Sequence, residues 1–237
     1  MKARLSMAFQ DLRGKDGNVV IRKGRSGLVL TPRTSPSNPE SGAQLFVRGN
    51  LTKAAKTFKG MTSTQAEAWD NYGESITRHN PVSGGTYTST GINAFVELTT
   101  KFLQASPSGT IPMTPPTTAF TGDTITVTAT GESGAVEFTA SAANASGVKT
   151  ELLLQPLSSA NRKPDPNGYK SAYFVAFASG GMSLQIDAGP GYWAAAYRFV
   201  KTATGQATDL IQLPVMTVAL SMTEGGKVPA PSKKKAA

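Results

Sequence analysis

The apolar positions of this chain change period near residue 105: before it they recur every three or four residues, and after it they alternate. Val47, Leu51, Ala54 and Phe58 fall at spacings of four, three and four, which makes one helical stripe. Ser41 can cap this helix and Gly60 can end it. A second helix is predicted from "TSTQ", Thr62 to Gln65, where a hydroxyl at the cap and a glutamine three residues on form a capping-box pattern. Its inner face would carry Ala66, Trp69, Gly73 and Ile76. "HNPVSGGTYTSTG" reads as a loop. A third helix is predicted from Ile92 to Gln104, with Ile92, Phe95, Val96, Thr99, Phe102 and Leu103 inward. Trp69, Phe58, Phe95 and Phe102 would then share one small core.

"ASPSGTIPMTPP" breaks this pattern with four prolines and reads as a linker. Beyond it Ile125, Val127 and Ala129 alternate with threonines. Val136, Phe138 and Ala140 follow, then Leu152 to Leu154, then Tyr173, Val175 and Phe177. Met182, Leu184 and Ile186 come next, then Trp193, Ala195, Tyr197 and Phe199, and last Ile211, Leu213 and Val215 to Leu220. With turn sequences between them, these predict about seven strands spaced as in a Greek-key sandwich of immunoglobulin or fibronectin-III type. At the other end "NVVI" and "GLVL", bracketed by turn sequences, predict a hairpin. Pro32, Pro36 and Pro39 then make residues 31–39 a stiff extended connector.

The expected fold class is therefore α+β and multidomain. Residues 1–40 would be a basic arm with a β-hairpin, 41–105 a small three-helix module and 106–119 a proline-rich linker. Residues 120–222 would be an all-β Ig/fibronectin-like sandwich, and 223–237 a disordered basic tail.

Composition agrees with a folded protein, since 39% of residues are hydrophobic and 16% charged. Cysteine is absent, which excludes a disulfide scaffold, a thiolate metal site and a cysteine nucleophile. The N-terminus holds no apolar run of secretory-signal length and the chain no run long enough to span a bilayer, so a cytoplasmic start and no membrane contact are expected. Charge changes the picture more. The net charge is +9, and residues 1–60 hold 12 Lys and Arg against 3 Asp and Glu. Residues 61–223 hold 8 against 11, and Lys227, Lys233, Lys234 and Lys235 follow. A basic arm on a mildly acidic body suits nucleic acid, an acidic protein surface or head-to-tail assembly.

Catalytic chemistry is sparse. His79 is the one histidine, and no serine sits in a Gly-x-Ser-x-Gly elbow that it could serve. A zinc site would want several such ligands. Asp123 and Glu132 are a weak basis for a carboxylate pair. No glycine turn is followed by the Gly-Lys-Ser/Thr of a phosphate loop. No enzyme activity, cofactor or metal is expected. Tyr192, Trp193, Tyr197 and Phe199 could stack on a sugar, but alternation turns half of them inward, and Trp193 or Tyr197 is expected as a core aromatic. Three helices behind a basic arm follow the general plan of a homeodomain-like binder. However, the third helix carries only Lys101 and Glu97 as charges, too few for base reading.

Several of these pieces occur in a recognisable order: "GKDGNVVIRKGRSG", "PSNPESGAQLFVRGNL", "FKGMTSTQAEAW" and "STGINAFVELTTKFL". Carried by Pro36, Asn38, Pro39, Gln44, Arg48, Thr62, Gln65, Trp69, Asn93 and Phe95, this set resembles one found in phage and prophage structural proteins. The resemblance covers roughly Gly14 to Leu103. "YRFVKTATGQAT" is similar to the last hairpin of the fibronectin-like domain often appended to such proteins. Ser41 and Gly42 depart from the Thr-Pro or Arg-Thr usual there. The resemblance implies a capsid-decorating or head- or tail-associated virion subunit, a homo-oligomer assembled in the host cytoplasm on other virion proteins. The residues expected to dock on a partner are Arg22, Lys23, Arg25, Arg33, Pro36, Asn38, Pro39, Gln44 and Arg48. Two other readings stay open: a non-specific nucleic-acid binder, and a carbohydrate- or receptor-binding module.

Overall fold

The computed structural model describes residues 2–3, 14–24, 27–35, 38, 40–79 and 85–220. The chain divides into two compact units, residues 1–45 and 46–237. The expected C-terminal tail lies outside the described residues.

The first unit is a four-stranded antiparallel sheet built from β1 (Lys2–Ala3), β2 (Gly14–Asp16), β3 (Val19–Gly24) and β4 (Gly27–Pro32), in the order β1-β4-β3-β2. The expected hairpin is present as β3 and β4, registered from Val19 opposite Pro32 to Gly24 opposite Gly27. A second hairpin joins β2 to β3 through Gly17, whose φ of 51° is a left-handed value that glycine adopts without a Cβ clash. Arg33 continues the ladder past Pro32 by donating its N–H to the Asn18 carbonyl at 2.7 Å. Helix α1 (Gly42–Lys59) begins in this unit and runs on into the next.

In the second unit α2 (Ser63–Ser75) opens with both halves of the capping box. Thr62 Oγ1 accepts from the Gln65 N–H at 3.3 Å, and Gln65 Oε1 accepts from the Thr62 N–H at 3.1 Å. α3 (Gly91–Ala105) packs against α2. The two approach closely because each offers a glycine. A Cβ on Gly73 would lie 2.6 Å from the Ser89 carbonyl oxygen, and one on Gly91 would lie 2.7 Å from the Asp70 nitrogen. Ala54, Trp69, Ala94 and Phe95 form the centre of the helical core, with Phe58 against it. Phe102 is buried elsewhere on α3. The expected inner stripes are only partly covered. Val47 and Leu51 are exposed, because the N-terminal half of α1 extends beyond the cluster that buries Ala54, and Ile92 is exposed at the start of α3. The segment expected as a loop before α3 carries a short ribbon of β5 (Thr77–His79) and β6 (Thr86–Thr88).

The proline-rich segment after α3 is tied down rather than free. Trp69 Nε1–H donates to the Met113 carbonyl at 2.9 Å and Ile111 packs on the Trp69 cluster. Gln206 Nε2 donates to the Thr118 carbonyl at 3.0 Å. Helices and strands here belong to one compact unit.

Seven strands follow: β7 (Val127–Gly131), β8 (Ala135–Ala140), β9 (Val148–Leu157), β10 (Lys170–Val175), β11 (Ser183–Asp187), β12 (Gly191–Lys201) and β13 (Ile211–Val218). They make two antiparallel sheets, β10-β9-β12-β13 and β11-β8-β7. Both contribute to one core of Val127, Val136, Phe138, Leu152, Leu154, Ala195, Tyr197 and Phe199. Tyr173, expected inward, is 54% exposed; it lies on β10, the edge strand of its sheet. On β12 the alternate set, Ala194, Ala196 and Val200, is buried as well. That face of the sheet is the one α3 contacts, and Lys149 Nζ of β9 donates to the carbonyl of Ala105, the last residue of α3, at 2.7 Å. The unit is therefore α+β and mostly β, with a helical layer on the larger of two sheets. Among the described residues no helix is long and apolar enough to cross a membrane.

Candidate functional site

The expected docking residues occupy different elements. Arg22 is exposed on β3, and Lys23 pairs in register with Leu28 on β4. Arg33 is exposed just after β4, and Asn38 Nδ2 donates to Glu40 Oε1 at 3.0 Å. Gln44 and Arg48 are exposed on α1. Arg25, Pro36 and Pro39 lie outside the described residues. Among the described ones, Arg22, Arg33, Asn38, Gln44 and Arg48 are polar or cationic and exposed.

A concave site lies elsewhere. A cleft of about 680 Å³ opens where α2, α3, the segment before β7 and the β12–β13 loop meet. Apolar side chains on its wall include Ile76, Leu98 and Phe120, and charged ones include Arg78, Glu97, Lys101, Arg198 and Asp209. Arg78 and Glu97 form an ion pair at its edge. Tyr72, also on the wall, has its hydroxyl pKa raised by burial and then by the Glu97 carboxylate.

Two of the cations in this cleft, Lys101 and Arg198, are anchored by an acid beneath it. Glu151 is wholly buried on β9 and stands directly opposite Arg198 of β12. Arg198 Nε donates to Glu151 Oε2 at 2.6 Å. Lys101 descends from α3 and donates to Oε1 and Oε2, each at 3.0 Å, and to Gln104 Oε1 at 3.1 Å. Its ammonium also lies 5.6 Å from the ring centre of Phe174, which pairs with Glu151 from the other side. Burial pushes the Glu151 pKa up, but the Arg198 hydrogen bond and the charges of Lys101 and Arg198 together outweigh it and hold the carboxyl below its usual value. For Lys101 burial wins over the attraction of Glu151, with repulsion from Arg198 adding to it, and the pKa is lowered. The sequence did hold a signal for this cluster. Glu151 is a lone acid at the start of an apolar run, followed by three leucines, which an alternating one-faced strand would not contain.

The other chemical candidates separate. His79 is exposed on β5. Asp123 and Glu132 sit at opposite ends of β7, and Asp123 accepts from Asn144 Nδ2 at 3.2 Å and the Ala145 N–H at 2.8 Å. Among the described residues no three acids or histidines gather where a metal ion could be held. Tyr197 is buried in the two-sheet core, edge-on to Phe199 at 5.6 Å, while Trp193 packs against that core and donates its indole N–H to the Gly189 carbonyl at 2.7 Å. Comparison of the chain with models of protein families, with curated proteins and with solved structures finds no match.

Proposed function

We propose that the protein is a non-enzymatic structural subunit of a phage-type particle, which docks on neighbouring subunits through its N-terminal arm and helical module. The observation that carries this reading is the concentration of positive charge in the first unit. Residues 1–45 hold 8 Lys and Arg against 3 Asp and Glu, a net +5, whereas the much longer second unit, residues 46–237, holds 16 against 12, a net +4. A preordered basic module loses little freedom on docking, and its charge favours an acidic surface. Uncovered apolar side chains on α1, Leu45, Phe46, Val47 and Leu51, add area of the kind that interfaces bury. The partners on this reading are capsid or tail subunits and further copies of the chain, assembled in the host cytoplasm.

The two-sheet body fits the same reading as an immunoglobulin- or fibronectin-III-like sandwich. Its first, second and fifth strands pair in one sheet and its third, sixth and seventh in the other. That is the constant immunoglobulin arrangement except that the fourth strand, β10, joins the other sheet.

The test is a chain lacking residues 1–39, expressed beside the particle proteins of its host phage, with purified particles assayed by mass spectrometry. Loss of the truncated chain from particles, while its circular dichroism keeps the β signal, is the expected result. Unchanged incorporation would refute docking through the arm. Exposed Arg22 and Arg33 also suit a polyanion. Tight binding to DNA of any sequence, falling steeply with salt, would favour that second reading.

A further inference from the structure

The cleft over Glu151 carries a cationic group with unused donors. Arg198 spends Nε on Glu151, and its two Nη groups make no hydrogen bond to any described residue, although Arg198 lines the cleft. Lys101 lines it too, with its ammonium turned to Glu151 and Gln104. One buried carboxylate thus faces two cations, leaving one positive charge in excess at the cleft. The excess belongs to this cluster: Glu97 is paired with Arg78, and the other acid on the wall, Asp209, is exposed and forms no ion pair with a described residue. The strand ladder and α3 hold these groups in place, so a ligand would find them already oriented.

We propose that this cleft binds an organic carboxylate with an apolar body, the carboxylate on the Nη groups of Arg198 and the body against Ile76, Leu98 and Phe120. A guanidinium edge presents parallel N–H donors at the spacing of two carboxylate oxygens. The charge excess matches a singly charged group, whereas a phosphate dianion would leave the site net negative. A cleft of about 680 Å³ is the size that encloses a small molecule or one side chain with its flanking backbone. The carboxylate therefore has two sources, a free organic acid or an acidic side chain of a peptide. The inference is independent of the arm and of its docking role.

The test uses the full chain and nuclear magnetic resonance of its arginine side chains. The probes are 3-phenylpropionate, its neutral amide 3-phenylpropionamide, and the blocked tripeptide acetyl-Ala-Glu-Phe-amide. The acid or the tripeptide should shift the Arg198 side-chain signals saturably, and the better of the two should bind at least about tenfold more tightly than the amide, as expected for a charge-assisted hydrogen bond. Tighter binding of phenylpropionate assigns the site to free acids, and tighter binding of the tripeptide assigns it to peptides. R198K keeps the charge for Glu151 but removes the fork, and should weaken binding about tenfold with the melting curve little changed. The amide control leaves the protein intact, so the result stands even if R198K unfolds. Equal binding of acid and amide, or no saturable shift at Arg198 with either anion up to about 10 mM, overturns the proposal.

Discussion

Lys101 and Glu151 are 50 residues apart in the chain, yet the lysine Nζ lies 3.0 Å from both oxygens of the carboxylate. This contact, with Arg198 across the strand, fastens the helical layer to the larger sheet. Glu151 is wholly buried, so removing it strands two partly buried cations. Glu151→Ala should therefore destabilise the fold by about 3–5 kcal/mol. Replacing all three by apolar residues of similar size, Lys101→Met with Glu151→Leu and Arg198→Met, should cost much less, because no charge is then left uncompensated. Urea unfolding midpoints of the two variants decide this. Equal losses would mean that the cluster contributes by packing alone.

The same cluster sets an acid limit. The Glu151 pKa is depressed in the folded chain from its ordinary 4.5. Between the two values the unfolded state binds more protons, so stability rises with pH there. The contribution is fully present above about 4.5 and is lost as pH falls through the folded value. Lys101, also depressed from its ordinary 10.5, has the same sign at the alkaline end. It adds stability as pH rises from its folded value towards 10.5. Melting temperatures measured between about pH 6 and pH 2 should fall steeply as the pH is lowered for the native chain, and Glu151→Gln should flatten that slope. A slope unchanged by this substitution would place the acid sensitivity in other carboxylates.

Much of this architecture could be read from the residues. The seven C-terminal strands fall where alternation and turn sequences put them, and the capping box of Thr62 and Gln65 marks the start of α2. The larger misreadings have one cause. A period gives the face a segment would bury but not how much neighbouring structure is there to cover it. Val47 and Leu51 continue the stripe of Ala54 and Phe58 but lie beyond the helices that cover the latter. Conversely, β9 and β12 are covered on both faces, which alternation on one face cannot announce. The cleft and its ion cluster followed from that second covering. Lys101, counted as one of the few charges on α3, could not be matched to Glu151 without the register that places β9 beneath it.

The crossing of α2 and α3 depends on the absence of a side chain. A Cβ at Gly91 would lie 2.7 Å from the Asp70 nitrogen and 2.8 Å from the Trp69 carbonyl carbon, both backbone atoms that no side-chain rotation can move aside. Gly91→Ala should cost about 1–3 kcal/mol by forcing the helices apart. The loss should appear as a lower melting temperature and weaker near-ultraviolet dichroism from Trp69, which packs edge-on to Phe95 at 5.0 Å. If Gly91→Ala is neutral, the two helices can slide without disturbing that packing.

Trp69 also decides whether the proline-rich segment acts as a hinge. Its indole N–H holds the Met113 carbonyl at 2.9 Å, and its ring is buried beside Ile111. Trp69→Phe keeps an aromatic ring but removes this donor and leaves a smaller side chain, at a cost of about 1–3 kcal/mol. The larger effect should be local. Residues 106–119 would lose one of the ties that hold them to the helices, while the Gln206 bond to Thr118 remains. Limited proteolysis, mapped by mass spectrometry, should then cut this segment several-fold faster than in the native chain, with cleavage before Thr118 favoured over cleavage after it. Unchanged cleavage in a destabilised variant would assign the order of this segment to its prolines and to Gln206 instead of Trp69.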